Sequence, residues 1–116
     1  MSRMETGKKA EELAAEHLEG KGMTVLERNF RAKVGEIDLV VKDGEEVVFV
    51  EVRCRASRAF GGAAASVDAT KRRKLIRTAA LWIQARGWEG SCRFDVVAVE
   101  GGELEHIPAA FEAGAR

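Results

Sequence analysis

Between Gly35 and Arg53 the chain twice runs through apolar and charged residues in alternation, with the two-residue period of a β-strand. In Gly35-Glu36-Ile37-Asp38-Leu39-Val40-Val41 the period puts Ile37, Leu39 and Val41 on one face and Glu36 and Asp38 on the other. In Val47-Val48-Phe49-Val50-Glu51-Val52-Arg53 it sets Val48, Val50, Val52 and Cys54 against Phe49, Glu51, Arg53 and Arg55. Asp43-Gly44 between the two runs is a hairpin signal, so the strands are expected to be antiparallel neighbours. Two registers keep both apolar sets on one side of the sheet. A turn at Asp43-Gly44 opposes Glu36 to Glu51 with Asp38 on the diagonal. A four-residue loop from Asp43 to Glu46 opposes Asp38 to Glu51 and Glu36 to Arg53. In either register the carboxylates gather.

The remaining periodicity supplies the frame. Thr6 can cap a first helix running to about Glu19, with Ala10, Leu13, Ala14 and Leu18 as its apolar stripe and Gly20 and Gly22 as its stop. A strand is expected from about Met23 to Arg28. After the hairpin comes a loop, Ala56 to Ala65, holding Gly61-Gly62. A second helix starts near Ser66 or Asp68, turns Val67, Leu75, Ile76, Ala79, Ala80 and Ile83 inward, and ends at Gly87. Cys92 to Glu100 reads as a strand, and Gly101-Gly102 turns it into an edge segment from Leu104 to Ile107. The order αβββαβ implies an α/β domain, a mixed central sheet flanked by helices. With 116 residues, 46% of them hydrophobic, and no repeat or linker, residues 1–116 are expected to form a single domain.

Charge sharpens the picture at two places. Glu51 lies inside the most apolar run of the chain, and a buried carboxylate costs several kcal/mol unless something pairs with it. Like charges facing each other across a sheet are destabilising, so the gathered acids need a cation, Arg53, or a raised pKa. A hard divalent metal held by oxygen ligands uses all of them. The second place is the segment from Arg53 to Arg77. It holds eight basic residues and one acid, Asp68, for a local charge of +7 in a chain whose net charge is zero. Arg55, Arg58, Lys71, Lys74 and Arg77 within it are candidates for binding phosphates. No apolar run approaches the roughly 18 residues that cross a membrane, and the first residues lack a signal-peptide core, so a cytoplasmic protein without a membrane partner is expected. Cys54 and Cys92 lack metal-ligand spacing and are expected to be small buried hydrophobes. His17 and His106 have no metal-ligand partner at helical spacing and are read as structural.

Gly35-Glu36-Ile37-Asp38, Phe49-Val50-Glu51-Val52-Arg53, Phe60-Gly61-Gly62, Lys71 to Leu75 and Arg93-Phe94-Asp95-Val96-Val97, in this order, resemble the motif series of the YraN family. That family is similar to the PD-(D/E)XK nucleases and to Holliday-junction resolvases. The resemblance runs from Gly7 to about Phe111. It implies a restriction-endonuclease-like αβββαβ core whose central hairpin carries a metal site. Asp38 and Glu51 match the two motif acids, Arg53 the basic position that is commonly Lys, and Glu11 the helical glutamate that often completes such sites. The resemblance therefore implies Mg²⁺, or Mn²⁺, held by Asp38, Glu51, the carbonyl of Val52 and Glu36 or Glu11. It also implies a DNA partner approached by the second helix, and resolvase-like symmetry implies a homodimer.

Arg53 departs from the superfamily pattern. A guanidinium stays charged at any workable pH, so it can hold a phosphate but cannot act as the general base. Two functions follow from the sequence: a metal-dependent nuclease acting on structured DNA, and a nucleic-acid-binding module that keeps the nuclease fold without its chemistry.

Overall fold

The computed structural model describes residues 3–54 and 66–113, with side chains from residue 7 onward. The elements are α1 (Arg3–Gly20), β1 (Thr24–Ala32), β2 (Gly35–Asp43), β3 (Glu46–Cys54), α2 (Ala69–Arg86), β4 (Cys92–Glu100) and β5 (Glu103–Phe111). The five strands form one sheet in the order β1-β2-β3-β4-β5, antiparallel except for β3 beside β4, which are parallel. That one parallel pair needs a crossover, and α2 supplies it. This is the expected αβββαβ restriction-endonuclease-like core, with β5 added at its edge.

Both faces of the sheet are covered, which explains why its central strands read as nearly continuous apolar runs. On one face Ala10, Ala14, Ala15 and Leu18 of α1 pack over Leu39, Val41, Val48, Val50, Val97 and Val99. On the other, Leu75, Ala79 and Trp82 of α2 pack over Val40, Val47, Phe49, Phe94, Val96 and Ala98. Trp82 stands edge-on to Phe49, ring centroids 5.6 Å apart, and its indole N–H donates to Glu27 of β1 at 3.0 Å.

Local chemistry sets the element ends. Asp68 caps α2 by accepting from the Lys71 N–H at 2.9 Å, and Gly87 closes it in the left-handed conformation at φ 65°. The β2–β3 turn is Gly44-Glu45, closed by the pair Asp43 and Glu46. Gly44, at φ 63°, occupies the first central position, where a type II′ turn asks for glycine.

Several expectations change. The backbone of α1 is already helical at Arg3, so Thr6 lies inside the helix instead of capping it. β1 extends to Ala32 because it stays paired with β2 as far as Ala32 opposite Gly35. Ala80 is exposed, and Thr78 and Trp82 are buried in its stead, since the apolar stripe of α2 is rotated from the one read off the sequence. Cys92 is exposed and Cys54 only half-buried. Ile37 packs in the cluster under α2, not with Leu39 and Val41 under α1. Among the described residues no helix is long and apolar enough to cross a membrane.

Candidate metal and nucleic-acid site

The displacement of Ile37 marks where the site is built. From Asp43 opposite Glu46 to Leu39 opposite Val50, β2 follows β3 in register. Beyond Leu39 it follows β1 alone, through Phe30 opposite Ile37 and Ala32 opposite Gly35. Its start leans onto α2, where a Cβ on Gly35 would lie 3.1 Å from the Thr78 hydroxyl and 3.7 Å from the Lys74 Cβ. The fork opens at Asp38. Asp38 Oδ2 accepts the Val52 N–H at 2.8 Å, so a side chain ties the strands where the backbone ladder has ended.

The register carried forward from Leu39 opposite Val50 is the one that opposes Asp38 to Glu51. Glu51 is 5% exposed and hydrogen-bonds Asp38. Its Oε2 also lies 3.6 Å from Lys71 Nζ and 3.5 Å from Arg53 Nη1. Glu11 reaches the group from α1, in contact with Asp38 and with the side chain of Asn29. Three carboxyls from a helix and two strands thus form a chain of contacts, with the two cations at the Glu51 end.

Burial, and then the charge of Glu51, push Asp38 up to about 7, against the pull of the Val52 N–H. Burial also raises Glu51, with Lys71 and then Arg53 opposing it. Burial and then Asp38 raise Glu11. Burial and mutual repulsion therefore oppose ionisation of Asp38 and Glu51 together, and Lys71 and Arg53, both standing at Glu51, favour the charged form there. The donor set is hard oxygen throughout, and a divalent cation would relieve the same repulsion that a proton relieves. Among the described residues no group of three Asp, Glu, His or Cys side chains forms a ready-made ion cage. Two carboxylates completed by backbone oxygen and water suit Mg²⁺, which keeps several waters.

The other candidates divide. Glu36 is exposed and 3.6 Å from Arg31, so it adds to the field on Asp38 and Glu11 from the rim. Val52 is half-buried beside Asp38. Lys74 and Arg77 are exposed on α2. Arg55 and Arg58, like the Phe60-Gly61-Gly62 motif, lie outside the described residues.

Three participants escaped the sequence reading. Ser66 takes two hydrogen bonds from Arg53, at 3.2 Å to its hydroxyl and 2.5 Å to its carbonyl, and neither is foreshadowed in the pattern. Asn29 has φ 54°, a conformation Asn tolerates, but nothing in the sequence points from it to Glu11. Asp95 did carry a signal, an acid within Phe94-Asp95-Val96-Val97. It lies opposite Val50 in the β3–β4 ladder, fully buried, and is satisfied by Arg93 at 3.0 and 3.2 Å, His106 at 2.7 Å and the Ala109 N–H at 2.9 Å, none of them a member of the carboxylate chain. His106 is held from its other ring nitrogen by Lys21 at 2.8 Å, which agrees with its structural reading.

The profile of the Uncharacterised protein family UPF0102 matches residues 10–99, a span that contains Glu11, Asp38, Glu51, Arg53 and Lys71. A UPF0102 protein of Alkalilimnicola ehrlichii is 48% identical over 112 residues, covering 95% of this chain and 89% of that protein. One from Serratia proteamaculans is 51% identical over 106 residues, 88% of this chain and 91% of its own length. One from Stutzerimonas stutzeri is 49% identical over 114 residues, covering 93% and 95%.

Proposed function

The chain belongs to the UPF0102 family, the YraN family anticipated from its motifs, and from that premise and the site geometry we propose a metal-dependent nuclease that hydrolyses phosphodiesters in structured DNA. The observation that carries this reading is the bonded pair of carboxyls, Asp38 and Glu51, held at a strand fork with Lys71 and Arg53 beside it. A structural ion-pair set would put a base at each acid, whereas both bases stand at Glu51. Here two acids face each other at some cost in stability, and the arrangement makes sense as a seat for a cation.

Asp38 and Glu51 would hold Mg²⁺, with the Val52 carbonyl and Glu36 or Glu11 assisting directly or through water. Bound there, the ion supplies neutralisation of the phosphate, a more acidic water and stabilisation of the departing oxygen. The protein's own part is positional. The Val52 N–H fixes the Asp38 carboxyl, and the Lys71 ammonium beside Glu51 offers positive charge to a phosphate entering there. The basic side chains of α2, Lys74 and Arg77 among them, extend that attraction along the DNA backbone. A branched substrate with two-fold symmetry would be met by a homodimer, and a cytoplasmic protein would meet such intermediates in repair or recombination.

The test is cleavage of branched, single-stranded and duplex DNA in Mg²⁺ or Mn²⁺ by wild type, Asp38→Ala and Glu51→Ala. Cleavage lost in both variants supports the nuclease. Unimpaired DNA binding with no cleavage by wild type in either metal replaces it with a nucleic-acid-binding module.

A further inference from the structure

We propose that Lys71, and not Arg53, is the cation that meets the scissile phosphate, while Arg53 serves as a structural clamp between β3 and the entrance of α2. The inference rests on the nuclease reading and assigns the basic role within that same site.

Each nitrogen of the Arg53 guanidinium already has a protein acceptor. Nε donates to the Ser66 hydroxyl at 3.2 Å, Nη2 to the Ser66 carbonyl at 2.5 Å, and Nη1 lies 3.5 Å from Glu51 Oε2. Ser66 precedes the buried Val67 and the helix cap Asp68, so the planar fork pins the end of β3 to the start of the second helix. Turning the fork toward a phosphate would release that junction.

Lys71 is differently placed. Its ammonium faces Glu51 Oε2 at 3.6 Å, and its side chain is 39% exposed against 32% for Arg53. An ammonium has three donors about a freely turning bond, so those not facing Glu51 can meet an incoming phosphate oxygen while the charge stays beside Glu51. Of the two cations, Lys71 acts on Glu51 the more strongly. It stands in the first turn of α2, where its backbone N–H donates to the cap Asp68 at 2.9 Å and so fixes the point from which the side chain sets out. The residue three places after the cap thus brings an ammonium to the carboxylate pair, where the strand itself offers only a guanidinium that is already engaged.

The test reads DNA binding without metal. In EDTA, anisotropy titrations of a branched DNA across a salt series give the slope of log affinity against log salt, which counts phosphate contacts. Lys71→Ala should lower that slope by about 0.9, and Lys71→Arg should restore it. Arg53→Gln should keep the wild-type slope and lower the melting temperature, as should Ser66→Ala, which removes one acceptor of the clamp. In Mg²⁺, single-turnover cleavage by Lys71→Ala should fall at least tenfold and recover in part with Lys71→Arg. An unchanged slope in Lys71→Ala overturns the assignment, as does a slope lowered in a folded Arg53→Gln. If Arg53→Gln does not fold, the Lys71 arm decides. A wild-type protein that neither binds nor cleaves DNA overturns the nuclease reading and this assignment together. One that cleaves while Lys71→Ala behaves as wild type overturns the assignment alone.

Discussion

Replacing Asp38 by Asn removes one charge from the carboxylate pair and keeps an oxygen for the Val52 N–H. Asp38 is raised from 3.8 to about 7 in the folded chain, by burial first and the charge of Glu51 second. A folded pKa above the unfolded one means that the proton favours the native state. That stability is complete below about pH 3.8 and is lost as pH rises through about 7. The displacement corresponds to roughly 4 kcal/mol at most, and since Asp38 and Glu51 titrate together, about 2 kcal/mol is a fair expectation. For a domain of this size that is a change of about 10 °C in melting temperature. Thermal unfolding followed by circular dichroism in EDTA should show wild type losing stability between about pH 4.5 and pH 8. Asp38→Asn should lose less, so that the variant gains on wild type as pH rises. At about pH 8, Mg²⁺ or Mn²⁺ should raise the wild-type melting temperature and leave that of Asp38→Asn nearly unchanged. A melting temperature of the variant minus that of wild type that stays constant or falls with rising pH would refute the carboxylate-pair argument.

Chelation gives a simpler check: EDTA should abolish cleavage and added Mn²⁺ should restore it, whereas activity that persists in EDTA contradicts a carboxylate-held ion. Asp95→Ala strands the buried His106 and the Ala109 N–H and leaves Arg93 with only Asp43 and Glu46, at 3.0 and 3.1 Å. Urea unfolding should show a loss of about 3–5 kcal/mol, and a loss under 1 would mean that the network rearranges. Gly35→Ala brings a methyl to 3.1 Å from the Thr78 hydroxyl, which cannot swing away without giving up its 2.7 Å bond to the Lys74 carbonyl. It should destabilise by about 1–3 kcal/mol and depress cleavage further than folding, as read by comparing melting curves with single-turnover rates at a temperature where the variant is folded.

The hairpin was legible because its signals are local. Alternation set Leu39, Val41, Val48 and Val50 on the face that α1 covers but misplaced Ile37, which turns under α2, and parity limited the pairing to two registers. Choosing between them took the turn itself, where Gly44-Glu45 closes on Asp43 and Glu46 and so opposes Asp38 to Glu51. The second helix announced its end at Gly87 and narrowed its start to Ser66 or Asp68, of which Asp68 is the cap, because caps are chosen by backbone geometry within a few residues. Its buried face was read one step askew, with Ala80 for Trp82, because Trp82 can sink into the core once its indole N–H finds Glu27, and that partner lies 55 residues away in the chain.

By itself the sequence determined that Glu51 sits in an apolar strand and must find a partner, because no carboxylate enters a core uncompensated, and the same physics applies to Asp95, which the sequence reading passed over. It did not determine what each would find. Asp95 meets Arg93, His106 and a backbone N–H, which fill its lone pairs and make it a strut of the fold. Glu51 meets another acid, because β2 parts from β3 at the one register position where Asp38 faces it. The need for a counter-charge is a local property of the strand. The identity of the partner depends on the fork, the crossover and the helix they bring together, and those exist only in the folded sheet.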